Sequence, residues 1–483
     1  MSDPIVTTTE GAVRGNADDS AARFLSVPYA APPAGADRFS PPSPPRPWTH
    51  VRDATRPGPT APQPRRDSFG RLDMAPYFGP GWVRGDERGE EYLTVNIWAP
   101  RRAERSPVLV FVHGGGFVAG SNRAPVHDGA AFARDGVVLV ALNYRLGVAG
   151  FLDLPGAPRN RGLLDVLAAL EWVQRNIAAF GGDPANVTLA GQSAGATTAA
   201  GVLADPRAEG LFHRAIVQSG SGLGAFSPEQ GARVARAAAE ALGVAPDAEG
   251  FAAVPDEDLV AVVPRLAGTD LRTADRFDPL MGLSPFSLVL DRQPAECRLA
   301  DVDLLVGTNA EEGNLYLAPH GDLPASTAED VHATAARAHG DPDRLVAAYQ
   351  AQRPDAGPGE LRSAILGDAL FGFGSRRLAE AHGGAHVYEF AWRSTALDAQ
   401  LGAAHAMELP FVFDGLETPG LRGAQGLTGP EEPPEALAKE MHAAWIAFAR
   451  TGDPGWPRFG EGGRVRRFDT VSATTEARDL SAW

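Results

Sequence analysis

The chain has 483 residues, 44% of them hydrophobic and 22% charged, and a formal net charge of −16; this is the composition of a folded protein with a large core, not of a disordered one. Lys439 is the only lysine, and so acidic a balance argues against nucleic acid as a partner, because phosphate binding needs a basic surface. The lone Cys297 allows no intrachain disulfide and predicts a cytoplasmic setting, while Met1-Ser2-Asp3-Pro4-Ile5 shows no signal-like start and no later run is apolar for long enough to span a membrane.

In chain order, residues 28–64 come first, crowded with proline (Pro32-Pro33, Pro41-Pro42, Pro44-Pro45) yet carrying Phe24, Tyr29, Phe39 and Trp48 in or beside them. Such a stretch holds neither helix nor central strand, and its apolar anchors predict an ordered surface wrap. Tyr92 to Trp98, Val108 to Val112 and Val137 to Leu142 are short β-branched or aliphatic runs suited to buried strands. Leu163, Val166, Leu167, Leu170, Val173 and Ile177 then recur at helical spacing, ending near Gly181-Gly182. A strand from Val187 follows, then Ala215 to Gln218, a helix over Glu229 to Leu242, and strands at Asp303 to Val306 and His386 to Phe390. Strand and helix alternating in this way predict a single α/β domain over residues 1–483, its mostly parallel sheet covered on both faces. Residues 243–290 and 317–362 are polar, proline-interrupted and helical in pattern, as expected of cap insertions that govern substrate choice.

The densest chemical signal is Val187-Thr188-Leu189-Ala190-Gly191-Gln192-Ser193-Ala194-Gly195, in which a strand enters Gly-x-Ser-x-Gly and leaves into small helix-compatible residues. A serine on so tight a turn is pushed above the sheet, and the flanking glycines remove the β-carbons that would collide there. Ser193 is therefore the candidate nucleophile, and a base and an oxyanion cradle must be sought elsewhere. The strand Val108 to Val112 runs into His113-Gly114-Gly115-Gly116-Phe117, whose glycines free backbone N–H groups to face a developing negative charge; Ala194 N–H is a further donor. Among the downstream histidines, His405 sits in a small-residue loop before Phe411-Val412-Phe413 and is favoured as base over His382, His386 and His442. The strand Asp303 to Val306 leads to Glu311-Glu312-Gly313, and Glu312 is preferred as the acid with Glu311 its near rival.

Several ordered motifs now carry a resemblance: Phe24-Leu25-Ser26-Val27-Pro28-Tyr29-Ala30, the glycine run at Gly114, Asn143-Tyr144-Arg145-Leu146-Gly147, Phe180-Gly181-Gly182-Asp183-Pro184 and Trp445-Ile446-Ala447-Phe448-Ala449-Arg450-Thr451-Gly452-Asp453-Pro454. From about Val6 to about Phe468 the chain resembles the type B carboxylesterases, the α/β-hydrolase family that includes p-nitrobenzyl esterases and cholinesterases. The resemblance implies an α/β-hydrolase fold with helical caps, and hydrolysis of small carboxylic esters through an acyl-enzyme. It also implies Ser193, Glu312 and His405 as the triad, Gly115, Gly116 and Ala194 as oxyanion donors and Ser219 as a buttress behind the triad. No His-Glu-x-x-His or cysteine pair occurs, and Lys439 follows Ala438 and so makes no Gly-Lys phosphate loop; neither metal nor cofactor is expected, and the oligomeric state is left open. Phe117, Phe371 and Phe373 are candidates to line an apolar pocket. No acidic cluster suited to a cationic alcohol stands out, so apolar or aryl esters are expected. The family commonly has Glu where this chain has Gln192, and the chain lacks a cysteine near Tyr92.

Competing readings are a non-catalytic binding protein on the same scaffold, acyl transfer by the same triad, and a dinucleotide site at Gly220-Ser221-Gly222-Leu223-Gly224-Ala225. Against the last, Ser227-Pro228 separates the glycines from the next helix, and Glu240 falls inside that helix instead of ending a second strand.

Overall fold

Seven of the chain's strands run parallel at the centre of one eleven-stranded sheet in the computed structural model, which describes residues 3–84, 90–460 and 462–483. The strands are β1 (Asn16–Ala17), β2 (Ala21–Pro28), β3 (Thr94–Pro100), β4 (Ser106–Val112), β5 (Val138–Leu142), β6 (Gly182–Gln192), β7 (Arg214–Gln218), β8 (Asp303–Asn309), β9 (His386–Phe390), β10 (Arg464–Phe468) and β11 (Ala473–Glu476). Their spatial order is β11-β10-β9-β8-β7-β6-β4-β5-β3-β2-β1. The parallel block runs from β5 to β10, with antiparallel strands added at both edges. Val108 to Val112 and Val138 to Leu142 are buried on both faces, which is why these strands read as unbroken apolar runs.

The chain passes from β4 outward to β5 and then returns to the other side of β4 as β6. Such a reversal opens a crevice at the carboxyl ends of the two flanking strands. The glycine run leaves β4 there, and Ser193 leaves β6.

The helices are α1 (Arg161–Asn176), α2 (Ala194–Leu203), α3 (Pro228–Leu242), α4 (Ala328–Ala338), α5 (Pro342–Gln352), α6 (Pro358–Gly367), α7 (Phe373–His382) and α8 (Glu435–Thr451); α1, α2, α7 and α8 pack against the sheet, whereas α4, α5 and α6 pack on one another. Leu163, Val166, Leu167, Leu170 and Val173 form the buried stripe of α1. α3 starts at a capping box between Ser227 and Gln230 and ends at Gly243 in the left-handed region. Among the described residues no helix is long and apolar enough to cross a membrane.

The proline-rich wrap is ordered and tied down by polar contacts. The Tyr29 hydroxyl donates to Asn143 O at 2.7 Å, and Trp48 Nε1 donates to Ala12 O at 2.9 Å. Arg145, in a fully buried 2.7 Å ion pair with Asp165, donates to the carbonyls of Arg38 and Ser40 at 3.1 and 2.6 Å.

Residues 317–362 are helical as expected, but 243–290 are helical only as far as Leu266. Beyond that point Gly268 and Gly282 take positive φ, and the Asp278 carboxylate accepts N–H bonds from Leu280 and Gly282 at 2.9 and 2.6 Å. A side chain that bonds its own following backbone competes with helix, and Pro279 and Pro285 deny the donors a helix needs.

Candidate active site

Ser193 occupies a backbone conformation that only its surroundings can enforce, with φ 57° and ψ −124°. Its N–H donates to Gln218 O at 2.9 Å, across the β6–β7 pair. A β-carbon on Gly191 would lie 2.5 Å from Gly195 O, and one on Gly195 would lie 2.1 Å from Val112 O. Only glycine fits on either side of this serine, and the conformation itself costs on the order of 1–3 kcal/mol.

His405 Nε2 lies 2.8 Å from Ser193 Oγ, and its Nδ1 lies 2.6 Å from Glu312 Oε2. All three side chains of this series come from carboxyl ends of parallel strands or the loops beyond them. The other Glu312 oxygen accepts from Ser219 Oγ at 2.6 Å and from Asn309 N–H at 2.7 Å. Glu311, the rival carboxylate, points away from the imidazole but holds the same loop: its Oε2 accepts from Ala403 N–H at 2.9 Å, and Arg393 pairs with its other oxygen. The remaining candidate histidines are spent on carbonyls, His382 on Val302, His386 on Trp456 and His442 on Val412.

In the glycine run, the N–H groups of Gly115 and Gly116, like that of Ala194, are used in no hydrogen bond among the described residues. Gly115 has φ +118°, and a β-carbon there would stand 2.0 Å from Ala119 O. The loop is clamped from beneath: the Tyr144 hydroxyl donates to His113 O at 2.7 Å, Gly147 N–H donates to Phe117 O at 2.7 Å, and Ser284 Oγ donates to Gly116 O at 2.6 Å. Asn143-Tyr144-Arg145-Leu146-Gly147 thus holds the glycine run in place through Tyr144 and Gly147. The His113 ring stacks on Tyr144 with centroids 4.6 Å apart, and burial pushes it down to about 4, so it is neutral near pH 7.

These groups open onto one pocket. Its walls are mostly apolar: Phe69, Met74, Phe78, Phe117, Leu315 and Phe371 among others. From the first expected cap segment come Leu280, Leu283 and Ser284; the second supplies none of the lining side chains, although Tyr316 just before it and Leu370 just after it do.

Phe371 meets the His405 ring face to face, but Phe373 does not reach the pocket. It stacks instead on Trp483, centroids 5.6 Å apart. The two phenylalanines lie two residues apart on helical backbone, where side chains two positions apart point to opposite sides. Phe371 belongs to a π-helical turn, Asp368–Gly372, whose Asp368 accepts paired bonds from Arg478 at 2.9 and 2.8 Å and one from the Tyr349 hydroxyl at 2.6 Å.

The glycines expected to compete as a dinucleotide site pack against the elbow. β-Carbons on Gly220 and Gly222 would lie 2.7 Å from the Ala196 side chain and 2.9 Å from that of Leu378. Close approach of protein to protein uses up these glycines.

Gln192, noted in the sequence only as a departure from the family's usual Glu, reaches the base, and Glu408 escaped the sequence altogether. Gln192 Nε2 lies 3.4 Å from His405 Nε2. Glu408, fully buried three residues after His405, accepts from Asn309 Nδ2 at 2.8 Å and from Gln218 Nε2 at 3.3 Å. Burial, with the Glu312 charge nearby, pushes its carboxyl up to about 7. The one available signal was a carboxylate placed in an otherwise apolar run.

A sequence model described as "Carboxylesterase family" matches residues 2–465. The chain is 34% identical to the para-nitrobenzyl esterase of Bacillus subtilis (strain 168), across 95% of this chain and 94% of that one. It is 35% identical to the phenmedipham hydrolase of Pseudarthrobacter oxydans, across 94% and 93%. In three dimensions it resembles a Geobacillus stearothermophilus carboxylesterase, with a TM-score of 0.84 at 32% identity and 99% coverage of both chains.

Proposed function

This chain belongs to the carboxylesterase family and is a carboxylic-ester hydrolase of α/β-hydrolase fold; from that premise we propose that Ser193 is its nucleophile, His405 its general base and acid, and Glu312 the carboxylate that orients the ring. Ser193 Oγ gives its proton to His405 Nε2 as it attacks the ester carbonyl carbon. The tetrahedral oxyanion accepts N–H bonds from Gly115, Gly116 and Ala194, while Glu312 stabilises the imidazolium. Collapse breaks the bond to the alcohol, which takes the proton from Nε2. Water then adds to the acyl-enzyme, passing one proton to His405, and the acid leaves as Ser193 recovers its own. Ser219 acts on this sequence only through Glu312.

The observation that carries the reading is the unbroken series of 2.8 and 2.6 Å contacts from Ser193 through His405 to Glu312. The apolar walls suit esters with an apolar or aryl body, and a relative named for para-nitrobenzyl esters points the same way. Residues 243–290 and 317–362 serve as a cap on a single domain, the first segment by contributing wall and the second by bracing what flanks it. A lone cysteine fits a cytoplasmic site of action. Ser193→Ala is expected to cost on the order of 10⁶ in turnover of 4-nitrophenyl acetate and to abolish labelling by an active-site phosphonate. Near wild-type turnover in that variant would overturn the assignment.

A further inference from the structure

Of the described side chains lining the pocket, Arg66 alone carries a permanent charge. It is half-buried and, among the described residues, makes no hydrogen bond and no ion pair. The adjacent carboxylate offers no neutralisation, because Asp67 is taken by Arg65, with Nε at 2.7 Å and Nη2 at 2.6 Å. Lost hydration, with no carboxylate in return among the described residues, pulls the Arg66 guanidinium below its ordinary value, and Tyr316 is its electrostatic neighbour there. The Tyr316 hydroxyl likewise makes no hydrogen bond among the described residues, and its ring lies 5.9 Å from that of His405. In a chain with sixteen more acidic than basic residues, this cation is thus left uncompensated among the described residues, in the pocket that Ser193 and His405 also line.

The two donors stand on fixed supports. Arg66 leads into a hairpin, Ser68–Phe69 with Leu72–Asp73. Met74 N–H closes it on Asp67 O at 2.9 Å, and Arg71 N–H ties it to Pro319 O at 3.2 Å. The Phe69 ring meets Tyr316 edge-on at 6.1 Å, so the segment bearing the guanidinium and the residue bearing the hydroxyl are packed against each other.

We propose that Arg66 and Tyr316 form a carboxylate subsite, so that this enzyme takes esters with an apolar body and a free carboxylate on the acyl or the alcohol part. A guanidinium presents paired N–H donors that match a carboxylate, and a phenol adds a third. The apolar walls hold the rest of the molecule. This inference rests on the hydrolytic reading above and names its substrate class.

The test uses two matched pairs. In the acyl arm, 4-nitrophenyl hydrogen adipate is compared with methyl 4-nitrophenyl adipate; in the alcohol arm, 4-acetoxybenzoate is compared with methyl 4-acetoxybenzoate. For each pair the ratio of kcat/KM, acid over methyl ester, is measured in wild type, Arg66→Gln and Tyr316→Phe, per site titrated with phosphonate. In the arm that reaches the subsite, Arg66→Gln is expected to lower the ratio roughly tenfold or more, the scale of a hydrogen bond to a charged group, and Tyr316→Phe by a few fold. Ratios that stay within about twofold of wild type in both arms identify Arg66 as a solvated surface cation and overturn the subsite while esterase activity stands. Wild type inactive on all four esters would overturn the hydrolytic reading instead.

Discussion

The ring of Phe371 lies flat on the imidazole of His405, centroids 4.3 Å apart and planes within 9°. The contact fixes the plane in which Nε2 faces Ser193 and keeps water from one face of the ring. Phe371→Ala is expected to lower kcat on 4-nitrophenyl acetate at least tenfold, since small misplacements of reacting groups cost that much or more. It should also destabilise the fold by about 3 kcal/mol in urea titrations. Phe371→Leu, which keeps an apolar wall, should retain most of the stability. An alanine variant with full kcat would dissociate the stacking from turnover.

Ser219 tests whether Glu312 needs its backing. Ser219→Ala removes the 2.6 Å bond to Oε1 and leaves the Asn309 N–H bond in place. Hydrogen bonds to charged groups contribute about 1.5–3 kcal/mol, so kcat should fall roughly tenfold or more with KM little moved. Loss confined to KM would show that Ser219 does not act through Glu312.

The two oxyanion glycines should behave differently. Gly115→Ala drives a β-carbon into Ala119 O at 2.0 Å, and the loop must move, with at least a hundredfold loss of kcat. At Gly116 the nearest atom is Ser284 Cβ at 3.9 Å, but φ is +63°. There the expected cost is left-handed strain of about 1 kcal/mol in stability, with a smaller kinetic effect. Thermal melts beside steady-state rates separate the two cases.

Glu408 gives a pH dependence with a defined sign. Its carboxyl is raised in the folded state to about 7 from an ordinary 4.5. Between those values the folded protein holds a proton that the unfolded chain has lost. The stabilisation of the protonated folded form is therefore present at low pH and declines as pH rises towards 7, by up to about 3 kcal/mol. Glu408→Gln should flatten that decline and be the more stable protein at pH 8 in denaturant titrations. Parallel curves for the two proteins between pH 5 and 8 would remove Glu408 as the source.

What was legible in the sequence was what backbone geometry enforces locally. Gly191 and Gly195 have no room for a β-carbon, so the elbow left a readable pattern, as did the glycine run after β4. Strand His386–Phe390 lies where its apolar residues place it. What was not legible depends on distant parts of the chain. Phe371 and Phe373 look alike in sequence, and only the helical turn between them decides which meets His405 and which meets Trp483. The helical pattern beyond Leu266 gave way to Asp278 bonding its own backbone. Nothing near Arg66 in sequence announces a missing partner, because that is a property of everything folded around it.

The paired bonds between Arg478 and Asp368 sit at one end of a short mechanical linkage: guanidinium, carboxylate, π-helical turn, phenyl ring, imidazole. A fusion tag, a nick or an adsorbing surface that disturbs the segment around residue 478 should therefore erode turnover while spectroscopic signatures of the sheet stay intact. For anyone immobilising this protein, the attachment point is best kept away from that segment.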